Sequence, residues 1–329
     1  MLVRIFCSFL WVFIATAVVP PKYPPEDVDF TLGGLVPVQY FHVDDTNEGG
    51  ITHFSFLEKS IAHHIKGVNA TLMKIEAMLQ KAYTIGHGVD DVARRIPKEQ
   101  WLYLALLSHY EFLASNTRLL DLMVGSKVLV VGSMTPWIEC LMVITGTAQV
   151  VTVEYNRLTF EHEKMVTISG PEFDSFYAVD SIHRGSFDFI ISMSSLDHDG
   201  LGRYGDPINP SGDIESMKRL SSMLKPNGLF VMTVPVGPDV VVFNLHRRYG
   251  RIRLPLLLAG WNVVGRVGWQ DVLLEQPANW RQSYEPIFIL KSKDMHVDTL
   301  PTNEDETLSE LQQSSASANA NALDSSSEL

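Results

Sequence analysis

The chain has 329 residues, 46% apolar and 19% charged, a composition that buries a core rather than one that stays unfolded. Its net charge of −12, with no long run of Lys or Arg to offset it, argues against a nucleic-acid binder or a binder of anionic membranes. The densest basic piece, His246-Arg247-Arg248-Tyr249-Gly250-Arg251-Ile252-Arg253, is short; it reads as a solvated face or as a pocket for an anionic ligand.

Residues 1–19 read as a leader. Arg4 precedes a near-continuous apolar run, Ile5 to Val19, short for a membrane span and right for a signal-peptide core. Ala15-Thr16-Ala17 is an A-x-A cleavage pattern, and Pro20-Pro21 stops a helix after it. A cleaved signal peptide and an uncleaved type II membrane anchor both send the remainder into the lumen of the secretory pathway. Cys7 lies in the leader, so the mature chain holds Cys140 alone and no internal disulfide. Asn69-Ala70-Thr71 is an N-glycosylation sequon.

Residues 20–50, rich in Pro, Gly and Asp, read as a linker, and residues 51–125 as a helical preface. Leu57, Ile61, Ile65, Val68, Leu72, Ile75, Leu79 and Ala82 step by three or four, one face of a helix. The Ile61–Ala82 part packs on the main domain or pairs with a partner, a second copy included. His63 and His64 flank it as helix-edge residues. After a break at 86–97, a second helix is expected over Lys98–Met123, ended by Gly125.

From Lys127 the rhythm becomes strand–helix alternation, which implies a three-layer α/β domain over residues 126–293 with a mainly parallel sheet. Expected strands are Lys127–Val131, Val150–Val153, Val166–Ser169, Phe187–Met193, Leu229–Val236, Asn262–Val267 and Pro286–Lys291. Expected helices are Pro136–Thr145, Arg157–Lys164, Asp213–Leu224 and Leu254–Gly260. Residues 294–329 are rich in Ser, Ala, Asn, Glu and Asp, and are expected to be disordered.

The first strand–turn–helix carries Gly132 and Ser133 at its turn, and Glu154 ends the following strand. A glycine there lets backbone N–H groups approach a ligand, and the acid is placed to accept hydrogen bonds from ribose hydroxyls. After Phe187–Met193, a loop gathers His198 with Asp197, Asp199, Asp206, Asp213, Arg203 and Tyr204. A His beside carboxylates serves as a general base; the same groups could hold a cation, or the loop could be purely structural. His246 and Arg247 would face the same side and take anionic or hydroxylated substrate groups.

Several strings resemble class I S-adenosylmethionine-dependent methyltransferases. Leu224-Lys225-Pro226-Asn227-Gly228-Leu229-Phe230-Val231 resembles the segment before their fifth strand, Phe187-Asp188-Phe189-Ile190-Ile191-Ser192 their fourth, and Gly260-Trp261-Asn262-Val263-Val264 the entry to their sixth. The resemblance covers Lys127 to Lys291 and implies a Rossmann-like sheet whose last strand is antiparallel. It implies S-adenosylmethionine as cofactor, with Gly132, Ser133, Glu154 and Ser192 around it, and Asp174 or Asp180 on the adenine. Ser194 to Pro210 and Phe243 to Gly250 resemble a nematode-type methyltransferase-like family of unknown function. The first loop departs from the usual acid-x-Gly-x-Gly pattern: it keeps one glycine and carries the bulky Met134 and Trp137, of which the Trp lines the pocket or fills it.

Two functions are therefore expected. One is methyl transfer to oxygen of a small polar acceptor, a sugar or glycan, with His198 as base, Asp197 orienting it, and Arg203 and His246 positioning the substrate. The other is a catalytically inactive, methyltransferase-like interaction protein. No resident metal is expected.

Overall fold

The computed structural model describes residues 23–46, 51–54, 98–113, 116–173, 185–275 and 284–293. The leader, the Ile61–Ala82 stripe, Asn69, Asp174, Asp180 and the tail from residue 294 lie outside these residues.

In chain order the elements are β1 (Val38–Tyr40), β2 (Ile51–Phe54), α1 (Lys98–Leu107), α2 (Leu119–Met123), β3 (Lys127–Val131), α3 (Trp137–Ile144), β4 (Gln149–Glu154), β5 (Arg157–Phe160), β6 (Met165–Ser169), β7 (Phe187–Met193), α4 (Gly212–Ser221), β8 (Leu224–Thr233), β9 (Val240–Phe243), β10 (His246–Arg248), α5 (Arg253–Leu257), β11 (Trp261–Val267) and β12 (Ile287–Ser292). Seven of them form the central sheet in the order β11-β12-β8-β7-β3-β4-β6. Its pairings are parallel except those of β12, which runs antiparallel to both β8 and β11. The reversed last strand is the one expected.

The central strands are apolar along their length because both faces are covered, as parallel strands require. Phe189, Ile190, Ile191 and Met193 of β7 are all buried, as are Val128, Leu129 and Val130 of β3. In α4 the buried Met217 and Leu220 face the core, while Asp213 and Glu215 in the first turn and Lys218 and Arg219 in the last suit the helix dipole. The α1 helix packs against β11 and β12.

Three expectations are corrected. Arg157–Lys164 is not a helix: Arg157–Phe160 is a strand paired in parallel with Ile51–Phe54. Its side chains alternate outward and inward, and Phe160 meets Phe54 with ring centroids 5.6 Å apart. Lys98–Met123 is not one helix. It breaks after Leu107, where Ser108 Oγ and Tyr110 Oη donate to the carbonyls of Leu104 and Ala105, and His109 bridges Arg118.

The third concerns the stretch read as a linker. Val38–Tyr40 pairs in parallel with β9, which pairs antiparallel with β10, in a separate three-stranded sheet. Phe30 and Val36 are buried with Leu201, Val241 and Phe243 in a second small core. Asn244 fixes the following residues, donating to Val43 O at 2.8 Å and accepting from Val43 N–H at 2.7 Å.

Candidate functional site

The chain runs from β3 outward through β4 to β6, then returns beside β3 as β7 and proceeds the other way. Such a reversal opens a crevice at the carboxyl ends of the two central strands. A cleft of about 750 Å³, open solvent included, lies there. Gly132 and Met134 line it from the turn after β3, Glu154 and Tyr155 from the end of β4, and His198 and Asp199 from the loop after β7. Trp137 is absent from its wall and packs partly buried on the main core, so it neither lines nor fills the cleft.

Gly132 has φ +69, and a Cβ there would lie 1.7 Å from Ser195 Oγ. The glycine is needed because the loop after β7 presses onto it; its own N–H donates to Val153 O at 2.9 Å. The residue before that loop contact, Ser194, is itself left-handed at φ 57. Ser133 is buried, with its Oγ 2.8 Å from Thr135 O and 3.1 Å from Glu139 Oε2. Thr152 Oγ1 donates to Glu139 Oε1 at 2.7 Å.

Glu139 was not singled out from the sequence, although an acid inside the apolar string Trp137-Ile138-Glu139-Cys140-Leu141 is a signal. It is fully buried, and burial pushes its carboxyl up to about 7, against the hydrogen bonds from Thr152 and Ser133. Ser133 has one hydroxyl proton for two neighbouring acceptors. A protonated Glu139 resolves this: it donates to Ser133 Oγ, which donates to Thr135 O. The trio ties the first loop to α3 and β4.

Glu154 is 7% exposed and reaches the cleft wall. Its Oε1 accepts the Asn156 N–H at 3.1 Å. Burial pushes it up to about 7; the N–H groups of Asn156 and Tyr155 oppose this and nearby Asp206 adds to it. Ser192 is fully buried within β7, level with Val131 and Met232, and is not on the cleft wall; Ser194 and Ser195 just beyond it are.

The loop after β7 is built on buried polar groups. Asp206 Oδ2 accepts from the N–H of Gly200 at 2.7 Å and of Gly202 at 3.0 Å, and Oδ1 from Tyr204 N–H at 3.2 Å. Arg247 is fully buried, not a substrate anchor. Its guanidinium donates to the carbonyls of Asp199 at 2.5 Å, Asn209 at 3.2 Å and Pro210 at 3.3 Å. Arg253 donates to both oxygens of Asp213, at 2.9 and 2.8 Å, and Tyr249 Oη to the second at 2.9 Å. The basic stretch is thus interior scaffolding in large part, not a solvated face.

His198 is hydrogen-bonded through one ring nitrogen and approaches a buried carboxyl with the other. Nδ1 lies 2.6 Å from Leu245 O and so carries the proton, while Nε2 lies 3.5 Å from Asp197 Oδ2. Burial, with Arg203 adding, pushes the imidazole down to about 3. It is a neutral group on the cleft wall, because burial keeps a second proton off the ring. Asp197 is fully buried and raised by burial, which keeps its carboxyl toward the neutral form. His246, at the start of β10, is pushed down to about 4 by burial and is not on the cleft wall.

Arg203 is engaged with the N-terminal segment. Its Nε and Nη2 reach Asp45 Oδ2 at 2.8 and 2.7 Å, and Nη1 donates to Leu245 O at 3.0 Å. Asn156 Nδ2 donates to Asp45 O at 3.2 Å, so this segment bridges the two sides of the cleft. The structure thus brings Gly132, Glu154 and His198 to one cleft and leaves Ser133, Ser192, Asp197, Arg203 and His246 off its wall. The cleft suits a nucleoside on the β4 side, where Glu154 offers an acceptor. On the β3 side Ser195 takes the space that a glycine-rich loop would leave. Among the described residues no group of three His, Cys, Asp or Glu side chains forms a metal site.

Residues 125–275 match the family model described as "Caenorhabditis protein of unknown function, DUF268". No curated protein matches the chain. Among solved structures, Burkholderia thailandensis 1,6-didemethyltoxoflavin-N1-methyltransferase, with bound 1,6-didemethyltoxoflavin and S-adenosylhomocysteine, is 18% identical. That match covers 68% of this chain and 90% of that one, with a TM-score of 0.40. An S-adenosylmethionine dependent methyltransferase from Mesorhizobium loti is 12% identical over 51% of this chain and 91% of that one, with a TM-score of 0.34. At these scores the likenesses are distant. The strand order β11-β12-β8-β7-β3-β4-β6, with β12 alone reversed, carries the fold: it is that of the class I methyltransferase sheet.

Proposed function

We propose that this chain is an S-adenosylmethionine-dependent methyltransferase of the secretory pathway, acting on oxygen of a small polar acceptor such as a sugar or glycan. The observation that carries the reading is the position of Glu154. It ends β4, beside the reversal of strand order, with its carboxyl on the wall of an open cleft. Carboxylates so placed accept both ribose hydroxyls of a nucleoside cofactor. The cofactor would supply an electrophilic methyl group, and the protein would supply orientation and proximity for in-line attack. The secretory address rests on the Ile5–Val19 run and the Ala15-Thr16-Ala17 pattern. Calorimetric titration with S-adenosylhomocysteine tests the reading: saturable binding is expected, and no heat at millimolar ligand overturns it.

A second reading is a catalytically inactive, methyltransferase-like interaction protein, with the Ile61–Ala82 stripe as the surface for a second copy. The contact of Ser195 on Gly132 and the hydrogen bond of His198 Nδ1 to Leu245 O favour it. Cofactor binding without methyl transfer to any glycan acceptor would support this reading over the first.

A further inference from the structure

We propose that Asp199 reads the positive charge of the cofactor, so that the cleft distinguishes the charged sulfonium donor from the neutral thioether left after transfer. This rests on the methyltransferase reading and adds a residue to it.

Asp199 follows the turn after β7 and lines the cleft on the wall opposite Glu154. The strands that end at the two walls, β4 and β7, are separated by β3 alone, so the walls stand about 10 Å apart, twice the spacing of adjacent strands. A nucleoside with its ribose at Glu154 would have room to extend its sulfur-bearing arm toward the wall that carries Asp199. The main chain at Asp199 is rigid: its carbonyl accepts from buried Arg247 at 2.5 Å and packs against Gly212, where a Cβ would come within 2.8 Å of that oxygen.

Two guanidiniums lie near the carboxyl and each has another acceptor: Arg219, which lines the same cleft, donates to Ser216 Oγ, and Arg247 donates to backbone carbonyls. The carboxyl's hydrogen-bonding side-chain neighbour is the neutral hydroxyl of Ser216, whose Oγ also accepts from Arg219 Nη2 at 3.0 Å. Asp206 and Asp213 disfavour its ionisation and Arg247 favours it, but the Arg247 guanidinium is taken up by backbone carbonyls. Burial dominates, and the carboxyl is pushed up to about 8. At neutral pH it holds its proton, and a cation brought against it expels that proton. His198, the neighbouring wall group, is neutral, and Arg219 is the cation on the same wall, turned to Ser216 Oγ at 3.0 Å.

The experiment compares two probes on the full chain: S-adenosylhomocysteine, and sinefungin, the stable analogue with an amine in place of the methylsulfonium. Titrations at pH 7 in buffers of different ionisation enthalpy give the protons released by each. Any change at Glu154 is common to both probes, since their ribose is the same. Sinefungin is expected to release more protons than S-adenosylhomocysteine, approaching one for a group with a pKa of about 8. In Asp199→Asn, which can still accept from Ser216, the excess disappears and sinefungin affinity falls on the order of tenfold. S-adenosylhomocysteine affinity is unchanged, which also shows the variant to be folded. Glu154→Gln should weaken both probes alike. Equal proton release by the two probes in the wild type, or equal weakening of both by Asp199→Asn, overturns the assignment of Asp199 while leaving the methyltransferase reading intact. Failure of both probes to bind the wild type overturns that reading itself.

Discussion

Nδ1 of His198 lies 2.6 Å from the main-chain oxygen of Leu245. That contact fixes the proton on Nδ1 and ties the loop after β7 to the turn between β9 and β10. With Nε2 beside the buried Asp197, the imidazole is enclosed on both sides. A histidine rich in acidic neighbours is expected to be basic. Here burial decides against it, because the acids are themselves kept toward the neutral form.

His198 should therefore not titrate near neutrality. Its ring proton shifts, followed by NMR in a chain with that imidazole assigned, should stay flat from about pH 8 to about pH 5. A titration midpoint between about 6 and 7 would restore the general-base role.

Glu139 gives a stability test. Folding raises its carboxyl from 4.5 to about 7, so the folded state binds the proton more tightly. Its contribution is fully present below the unfolded value and is lost as pH rises from 4.5 through about 7. Glu139→Gln mimics the protonated form, donating to Ser133 Oγ and accepting from Thr152. The unfolding free energy of the variant, from chemical denaturation, should exceed that of the wild type by an amount that grows between about pH 5 and 7, at most about 1.4 kcal/mol per pH unit, and then levels off. A difference that does not vary with pH would mean that Glu139 is ionised throughout.

Gly132 and Ser195 should behave as a pair. Gly132→Ala places a methyl into Ser195 and forces a left-handed residue. The expected loss is about 1–2 kcal/mol for the conformation and about 1–3 kcal/mol for overpacking. Adding Ser195→Gly should recover the second part and not the first, measured by chemical denaturation as a double-mutant cycle. Full additivity of the two changes would show that the contact is not the reason for the glycine.

Much of the fold is legible along the chain, and the reason is local. Strands such as Lys127–Val131 and Phe187–Met193 are continuous apolar runs between turn residues, and the segment around Leu224–Val231 marks its own place in the sheet. What is hidden depends on partners far away. Arg157–Phe160 is a strand because Ile51–Phe54 lies beside it, and Val38–Tyr40 because β9 does. The site divides the same way. Gly132 and Glu154 sit at the ends of legible strands and reach the cleft. His198, Arg203 and His246 carry the right chemistry in sequence. Their availability depends on Leu245, Asp45 and burial, which no spacing reveals. Glu139 and Asp199 take their importance from the same source.

The central claim is that the cleft beside Glu154 holds the ribose of S-adenosylmethionine. Side-by-side calorimetric titration of the wild type and Glu154→Ala with S-adenosylhomocysteine tests it most directly. The account predicts saturable binding by the wild type and affinity lower by at least about tenfold in the variant, the loss of hydrogen bonds to a carboxylate. Equal affinity in the two proteins, or no binding by either, would contradict it.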